Sequence, residues 1–274
     1  EPGELTALRR EALARFVHLP VAGEYLHRDM FDVAQVYGKD SFLMIQWLGT
    51  KRLPKLFAAK RAFDAFGARW GLGWLGSSDV WLQRISRMFP NHLPERMRAF
   101  RERFEHHLIL KTAGDGIGEA RGYLQSVFRS ASGDFFECTP AEAGKAFLHR
   151  FVAAGAAIRY RAVHAREVGE IVALDVALRQ NDREWFEVLP DEVREQVHLA
   201  LHYGHFFCHV FHRDYIARRG CDPMALEHRL LESLDERGAE YPAEHNVGHL
   251  YPAKPALAAF YRALDPCNAF NPGI

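Results

Sequence analysis

The chain has 274 residues, 48% of them hydrophobic, with 35 basic residues against 35 acidic ones and so no formal net charge. That size and composition allow a sizeable core in one large domain or two small ones, and the neutral balance excludes the chain-wide field of a nucleic-acid binder. Cys138, Cys208, Cys221 and Cys267 are scattered with no C-x-x-C pair, which argues against a zinc knuckle or a disulfide framework and suits a reducing compartment. No apolar run approaches the roughly 18–20 residues of a membrane span. No signal peptide is evident, and both ends read as cut, so the chain is expected to be part of a longer protein.

In chain order, "LTALRREALARFVHLP" predicts an amphipathic helix that stops before Pro20. "FDVAQVYGKDSFLMIQWLG" predicts a second apolar helical stretch. "LPKLFAAKRAFDAFGARWG" and "VWLQRISRMFP" follow as helices that interleave aromatic and basic residues, with Trp70, Trp74 and Trp81 among them. From Lys51 to Arg103 twelve basic residues face four acidic ones, a local charge of +8 that the rest of the chain must balance. Such a split points to a localised anionic partner. After this region the texture changes. "HHLILKTAG", "GDFFECT", "AAIRYRAVH", "EIVALDVALR" and "HYGHFFCHVFH" read as strands. "GIGEARGYLQSVFRSAS", "PAEAGKAFLHRFVAAG", "PDEVREQVHLAL", "DPMALEHRLLESLDERG" and "KPALAAFYRALDP" read as helices. The alternation predicts an α+β domain: an antiparallel sheet with helices on one face, interrupted by a basic helical insert. The expected partition is 1–30 and 106–237 for the sheet domain, 31–105 for the insert, and 238–274 for a terminal segment.

Four stretches carry chemistry. In the basic region, Lys and Arg suit anionic headgroups while Trp and Phe suit the headgroup boundary, although a helical subdomain with its apolar stripe packed inward fits the same pattern. No nucleic-acid motif accompanies the charge. "AGDGIGEA" lacks the third glycine of a dinucleotide fingerprint and reads as a strand-to-helix turn. "HYGHFFCHVFH" holds four histidines. Imidazoles bind transition metals, but His202 and His209 are an odd number of residues apart and point to opposite faces of an ideal strand, unless a turn near Gly204 joins them. "YPAEHNVGHLY" sets Glu244 beside His245, a pairing suited to proton transfer, and Gly248 permits close approach to a flat ligand.

The stretch "GAEYPAEHNVGHLYPAKPALAAFYRALDPCNAFNPGI" resembles the C-terminal end of the quinone-dependent, FAD-linked D-lactate dehydrogenases of bacteria. These belong to the vanillyl-alcohol-oxidase-like flavoproteins, whose Glu-His-containing loop and Asp-Pro…Asn-Pro-Gly ending match Glu244, His245, Gly248, Asp265, Pro266, Asn271, Pro272 and Gly273. "LPVAGEYLHRD", "YGKDSFLMI", "EHHLILK", "AGDGIGEA" and "LPDEV…YGHFFCHVFH" extend the likeness along the chain. The resemblance implies a peripheral flavoenzyme on the cytoplasmic face of the bacterial inner membrane that oxidises D-lactate to pyruvate and reduces quinone. It implies that this chain is the cap, the membrane-binding insert against anionic lipids, and a terminal segment returning to the flavin. The FAD-binding half would lie outside the chain. His245 is then the expected catalytic base with Glu244 as its orienter. Asn246, Gly248 and Asn271 are the expected flavin contacts. Arg179, Arg159 and Arg28 are candidates for the substrate carboxylate, Arg179 standing where related proteins have proline after an Asp-Val-Ala-Val strand. Related dehydrogenases hold a divalent metal with two histidines seven residues apart and the Glu of the Glu-His loop, which would be His202, His209 and Glu244 here. A dehydrogenase for glycolate or 2-hydroxyglutarate, or a lipid-binding module without catalysis, are the alternatives.

Overall fold

The computed structural model describes residues 1–15, 20–70, 78–243, 247, 251 and 253–270. Its helices are α1 (Pro2–Arg15), α2 (Arg28–Tyr37), α3 (Lys39–Leu48), α4 (Leu53–Arg69), α5 (Ser78–Ser86), α6 (Glu95–Arg103), α7 (Gly116–Val127), α8 (Pro140–Phe151), α9 (Ala153–Val163), α10 (Asp191–Arg194), α11 (Pro223–Glu236) and α12 (Pro255–Leu264). Its strands are β1 (Pro20–His27), β2 (His106–Thr112), β3 (Val168–Ala177), β4 (Val197–His205) and β5 (Val210–Arg218). The strands form one antiparallel sheet in the order β2-β1-β4-β5-β3.

The α+β class and the antiparallel sheet agree with the sequence, but the helices cover both faces of the sheet rather than one. The reason lies in the strands. Tyr25, Val172, Leu174, Val176, Phe211 and Tyr215 point to one side, where Leu8 and Ala12 of α1 and Leu226, Leu230 and Leu234 of α11 cover them. Their neighbours Leu26, Leu201, Tyr203 and Ile216 point to the other side, beneath Met30, Val33 and Ala34 of α2 and Ala153, Ala156 and Ala157 of α9. Since successive side chains alternate, strands that are apolar at both parities need a layer on each face.

Three segments differ from expectation. "AAIRYRAVH" is helical as α9, because Ala153, Ala156 and Ala157 sit at helical spacing against the sheet. "GDFFECT" forms no strand. "PDEVREQVHLAL" gives only the single turn α10 before β4 begins at Val197. The cap of α8 is legible by eye: Thr139, Pro140 and Glu142 form a capping box with proline in the first turn.

Helix α2, inside the expected 31–105 segment, packs with the sheet: its Met30, Phe31, Val33 and Ala34 are all buried. The insert is fastened back by a third cluster of Phe31, Phe42, Leu93, Met97, Ala146 and Val152. His92 and His149, both buried, lie against this cluster with ring centroids 4.2 Å from Phe42 and 4.4 Å from Phe31. Burial favours their neutral forms and pulls them down to about 4 and about 3. Arg159 of α9 adds a polar lock. Its guanidinium bonds Asp40 Oδ2 at 2.9 Å and Asp79 Oδ1 at 2.6 Å, joining the sheet's helix layer to α3 and α5.

Candidate functional site

The site is built by strand register. Glu24 of β1 pairs with His205 of β4, while Tyr203 pairs with His212 of β5, which pairs in turn with Asp175 of β3. Residues 203 and 205 share a face, so all five side chains line one side of the sheet. A four-residue connection, 206–209, returns the chain from His205 to its partner Val210. Gly204 is required there, because a Cβ would collide with the Val210 carbonyl oxygen.

The resulting row is continuous. Glu24 lies 3.2 Å from His205 Nδ1, and Asp175 Oδ1 lies 2.6 Å from His212 Nδ1. The two Nε2 atoms face each other at 3.3 Å. If each Nδ1–H donates to its carboxylate, both Nε2 atoms carry lone pairs, and a contact between them needs one further proton. In that arrangement one proton can be shared between the two imidazoles, beside carboxylates that stabilise its charge. Tyr203 donates to Asp214 Oδ2 at 3.2 Å on the same face. Burial raises the Asp214 carboxyl to about 6. Arg150 reaches the row from α8, with Nε 3.0 Å from Glu24 and its guanidinium 4.8 Å over the Tyr203 ring.

The terminal segment joins the open edge of β3 beside this row. Ala177 and Glu240 exchange backbone hydrogen bonds at 2.8 and 2.9 Å, and the Ala243 N–H donates to the Asp175 carbonyl at 2.9 Å. Val247 then bridges to Tyr251, whose hydroxyl donates to Glu227 at 2.5 Å. The chain positions that carry Glu244 and His245 thus begin one residue beyond an anchor on Asp175. Glu244, His245, Asn246, Gly248 and Asn271 themselves lie outside the described residues.

The three candidate arginines separate. Arg159 is committed to Asp40 and Asp79. Arg28 donates to the Phe104 carbonyl at 3.2 Å and fixes the entry to α2. Arg179 packs beside Gly238, next to the Ala177–Glu240 bridge, and so lies near the terminal segment.

The expected metal pair is not brought together. His202 is on the opposite face of the sheet, its ring 4.5 Å from Phe186 and 6.0 Å from Tyr215, and burial lowers it to about 3. His209 occupies the turn with φ of 60°, its Nδ1 held by the Arg179 carbonyl at 2.9 Å. The histidines that do meet, His205 and His212, repeat the seven-residue spacing three positions later. Two imidazoles backed by carboxylates are a metal-like pair. Among the described residues, however, no group of three or more His, Cys, Asp or Glu is arranged to hold an ion.

A second surface lies on the insert. Trp47, Phe63, Phe66, Trp70, Trp81, Ile85 and Met88 are all exposed, the tryptophans by 41–66%. Lys51, Arg52, Lys55, Arg61, Arg69, Arg84 and Arg87 are exposed around them. On α4, Phe63 and Phe66 point outward, 59% and 57% exposed. Trp74 lies outside the described residues. Among the described residues, no helix is long and apolar enough to cross a membrane.

A family model described as D-lactate dehydrogenase, membrane binding, matches residues 1–274. The chain belongs to that family. It is 55% identical over 274 residues to a quinone-dependent D-lactate dehydrogenase of Escherichia coli (strain K12), covering 100% of the chain and 48% of the relative. A relative of the same description from Haemophilus influenzae is 54% identical over 271 residues, 98% of the chain and 48% of the relative. One from Corynebacterium glutamicum is 40% identical over 274 residues, again 48% of its length. The chain spans about half the length of these curated relatives.

Glu24, Arg150, Asp175, His205 and His212 were not among the residues singled out from sequence. The available signal was the second His-x6-His spacing, "HFFCHVFH", with Gly204 marking the tight approach of the hairpin.

Proposed function

We propose that this chain is the substrate-covering and membrane-docking part of a respiratory enzyme that oxidises D-lactate to pyruvate and passes the electrons to quinone. The observation that carries the reading is the row Glu24–His205–His212–Asp175, beside which Ala243 is anchored on the Asp175 carbonyl. Oxidising a 2-hydroxy acid releases two protons and two electrons, so the site needs groups that take protons near neutrality. In this proposal His245 takes the hydroxyl proton, Glu244 orients it, and the row receives the proton. Arg179 fixes the carboxylate. The open row fits one side of a flat group, with Asn246, Gly248 and Asn271 as its proposed contacts. FAD, held mainly outside this chain, would supply the hydride acceptor.

The test is His212→Gln in the full-length protein. Uncoupling the imidazoles should lower D-lactate turnover about tenfold or more, toward the lower end of acid–base contributions. The same assay with glycolate and 2-hydroxyglutarate should show slower turnover. Preference for either would move the substrate assignment, and unchanged turnover in His212→Gln would remove the row from the mechanism.

The insert is proposed to bind anionic lipid on the cytoplasmic face of the membrane. Each basic residue near such a surface adds about 1 kcal/mol before screening. Binding of the full-length protein to phosphatidylglycerol-containing vesicles should therefore weaken steeply between low and physiological salt. Equal binding to neutral vesicles would reject the anionic-lipid assignment.

A further inference from the structure

An open groove of about 450 Å³ runs from the insert to the imidazole row, within the size range of about 300–1,000 Å³ common to small-molecule sites. Its outer lip is Thr50, two residues beyond Leu48 at the end of α3, where Trp47 and Leu48 are exposed on the membrane-facing insert. Its wall is one face of α8, formed by Phe147, Leu148 and Phe151. Phe151 is 61% exposed although it lines this apolar wall. The polar part of the lining is His205, Glu24 and Arg150.

We propose that this groove holds the quinone, with its apolar ring and tail along α8 and its carbonyl oxygen at His205. The proposal rests on the functional reading above and names the site of its electron acceptor. Three features favour a quinone over a water-soluble acceptor. The groove begins at the surface that meets lipid, where a lipid-dissolved molecule would enter. Its wall is aromatic and aliphatic, suited to a flat ring and an isoprenoid tail. Its polar lining carries an imidazole able to give a proton, and the Arg150 guanidinium, beside Glu24, offers a donor to the same oxygen. Lactate becoming pyruvate releases two electrons and two protons. Quinone becoming quinol takes up the same number, one proton on each carbonyl oxygen. His205 supplies the proton for the oxygen it meets and is refilled through the His212 Nε2 contact and Asp175, while the oxygen across the ring takes its proton from water in the open groove.

The experiment uses the full-length enzyme with its flavin, Phe151→Glu and Thr50→Trp variants, and a short-tailed ubiquinone analogue in plain and photoreactive forms. Anaerobic flavin reduction by D-lactate should stay within about twofold of wild type, because neither residue carries a proton-transfer group of the row. The KM for quinone should rise about tenfold or more in Phe151→Glu, since a charge placed in an apolar contact opposes binding. Photolabelling of the wild type should fall on the peptide containing Phe147–Phe151 and be displaced by unlabelled quinone. Unchanged quinone KM in both variants, or label confined to other peptides, would overturn the groove assignment. Failure of D-lactate to reduce the wild-type flavin would overturn the functional reading instead, and the labelling result would still decide the groove.

Discussion

Replacing His245 by alanine in the full-length protein is expected to leave flavin bound and to lower D-lactate-driven quinone reduction about 100-fold or more, the range of lost acid–base catalysis. The prediction follows from how the segment is tied down. Ala243 donates its N–H to the Asp175 carbonyl, and Asp175 also holds His212 through its carboxylate. One residue therefore anchors the backbone next to the proposed base and completes the proton-accepting row. Flavin absorbance separates binding from chemistry: the spectrum of the oxidised variant should match wild type, while anaerobic bleaching by D-lactate slows. Bleaching at a near-normal rate would remove His245 from the role and leave the row itself as the base.

Arg159→Met is expected to destabilise the protein by about 3–5 kcal/mol, the cost of stranding buried charges by removing their partner. The side chains of Arg159, Asp40 and Asp79 are only 7%, 9% and 14% exposed. Asp79 keeps one cation, Lys60 at 2.9 Å, but the bonded oxygen of Asp40 loses the guanidinium it meets. Because these bonds join α9 to α3 and α5, the loss should fall first on the attachment of the insert. Urea unfolding followed by tryptophan fluorescence reads this directly, since Trp47 and Trp81 lie on the insert. Adding Asp40→Asn to the variant should recover part of the stability, as a neutral amide is less costly to bury than a lone carboxylate. A loss below about 1 kcal/mol would mean that the carboxylates reach water without the arginine.

Much of the architecture was legible because local and tertiary signals agreed. Thr139-Pro140 and Asp222-Pro223 announce helices, and Gly38 divides the apolar stretch 31–49 into α2 and α3. The α9 segment misled because "AAIRYRAV" alternates apolar and basic residues over a short window, while its buried alanines repeat at three and four. Strand β1 passed without notice, since "PVAGEYLH" begins with proline and contains glycine. Gly23 is nonetheless required, as a Cβ there would press on Phe207 at 2.6 Å. The family was legible from the terminal motif. The site was not, because two histidine pairs share one spacing. Only the position of the hairpin turn decides that His205 meets His212 while His202 is buried on the other face.

The pairing of Glu240 with Ala177 and of Ala243 with Asp175 has an evolutionary consequence. Both contacts use main-chain atoms, so they fix the number of residues between them, while Tyr241 is held separately, its hydroxyl donating to Asp235 at 2.8 Å. Losing or gaining one residue between Glu240 and Ala243 would break one of the two pairings, as a one-residue slip does in any strand pairing. An alignment of the family would then show gaps excluded from 240–243.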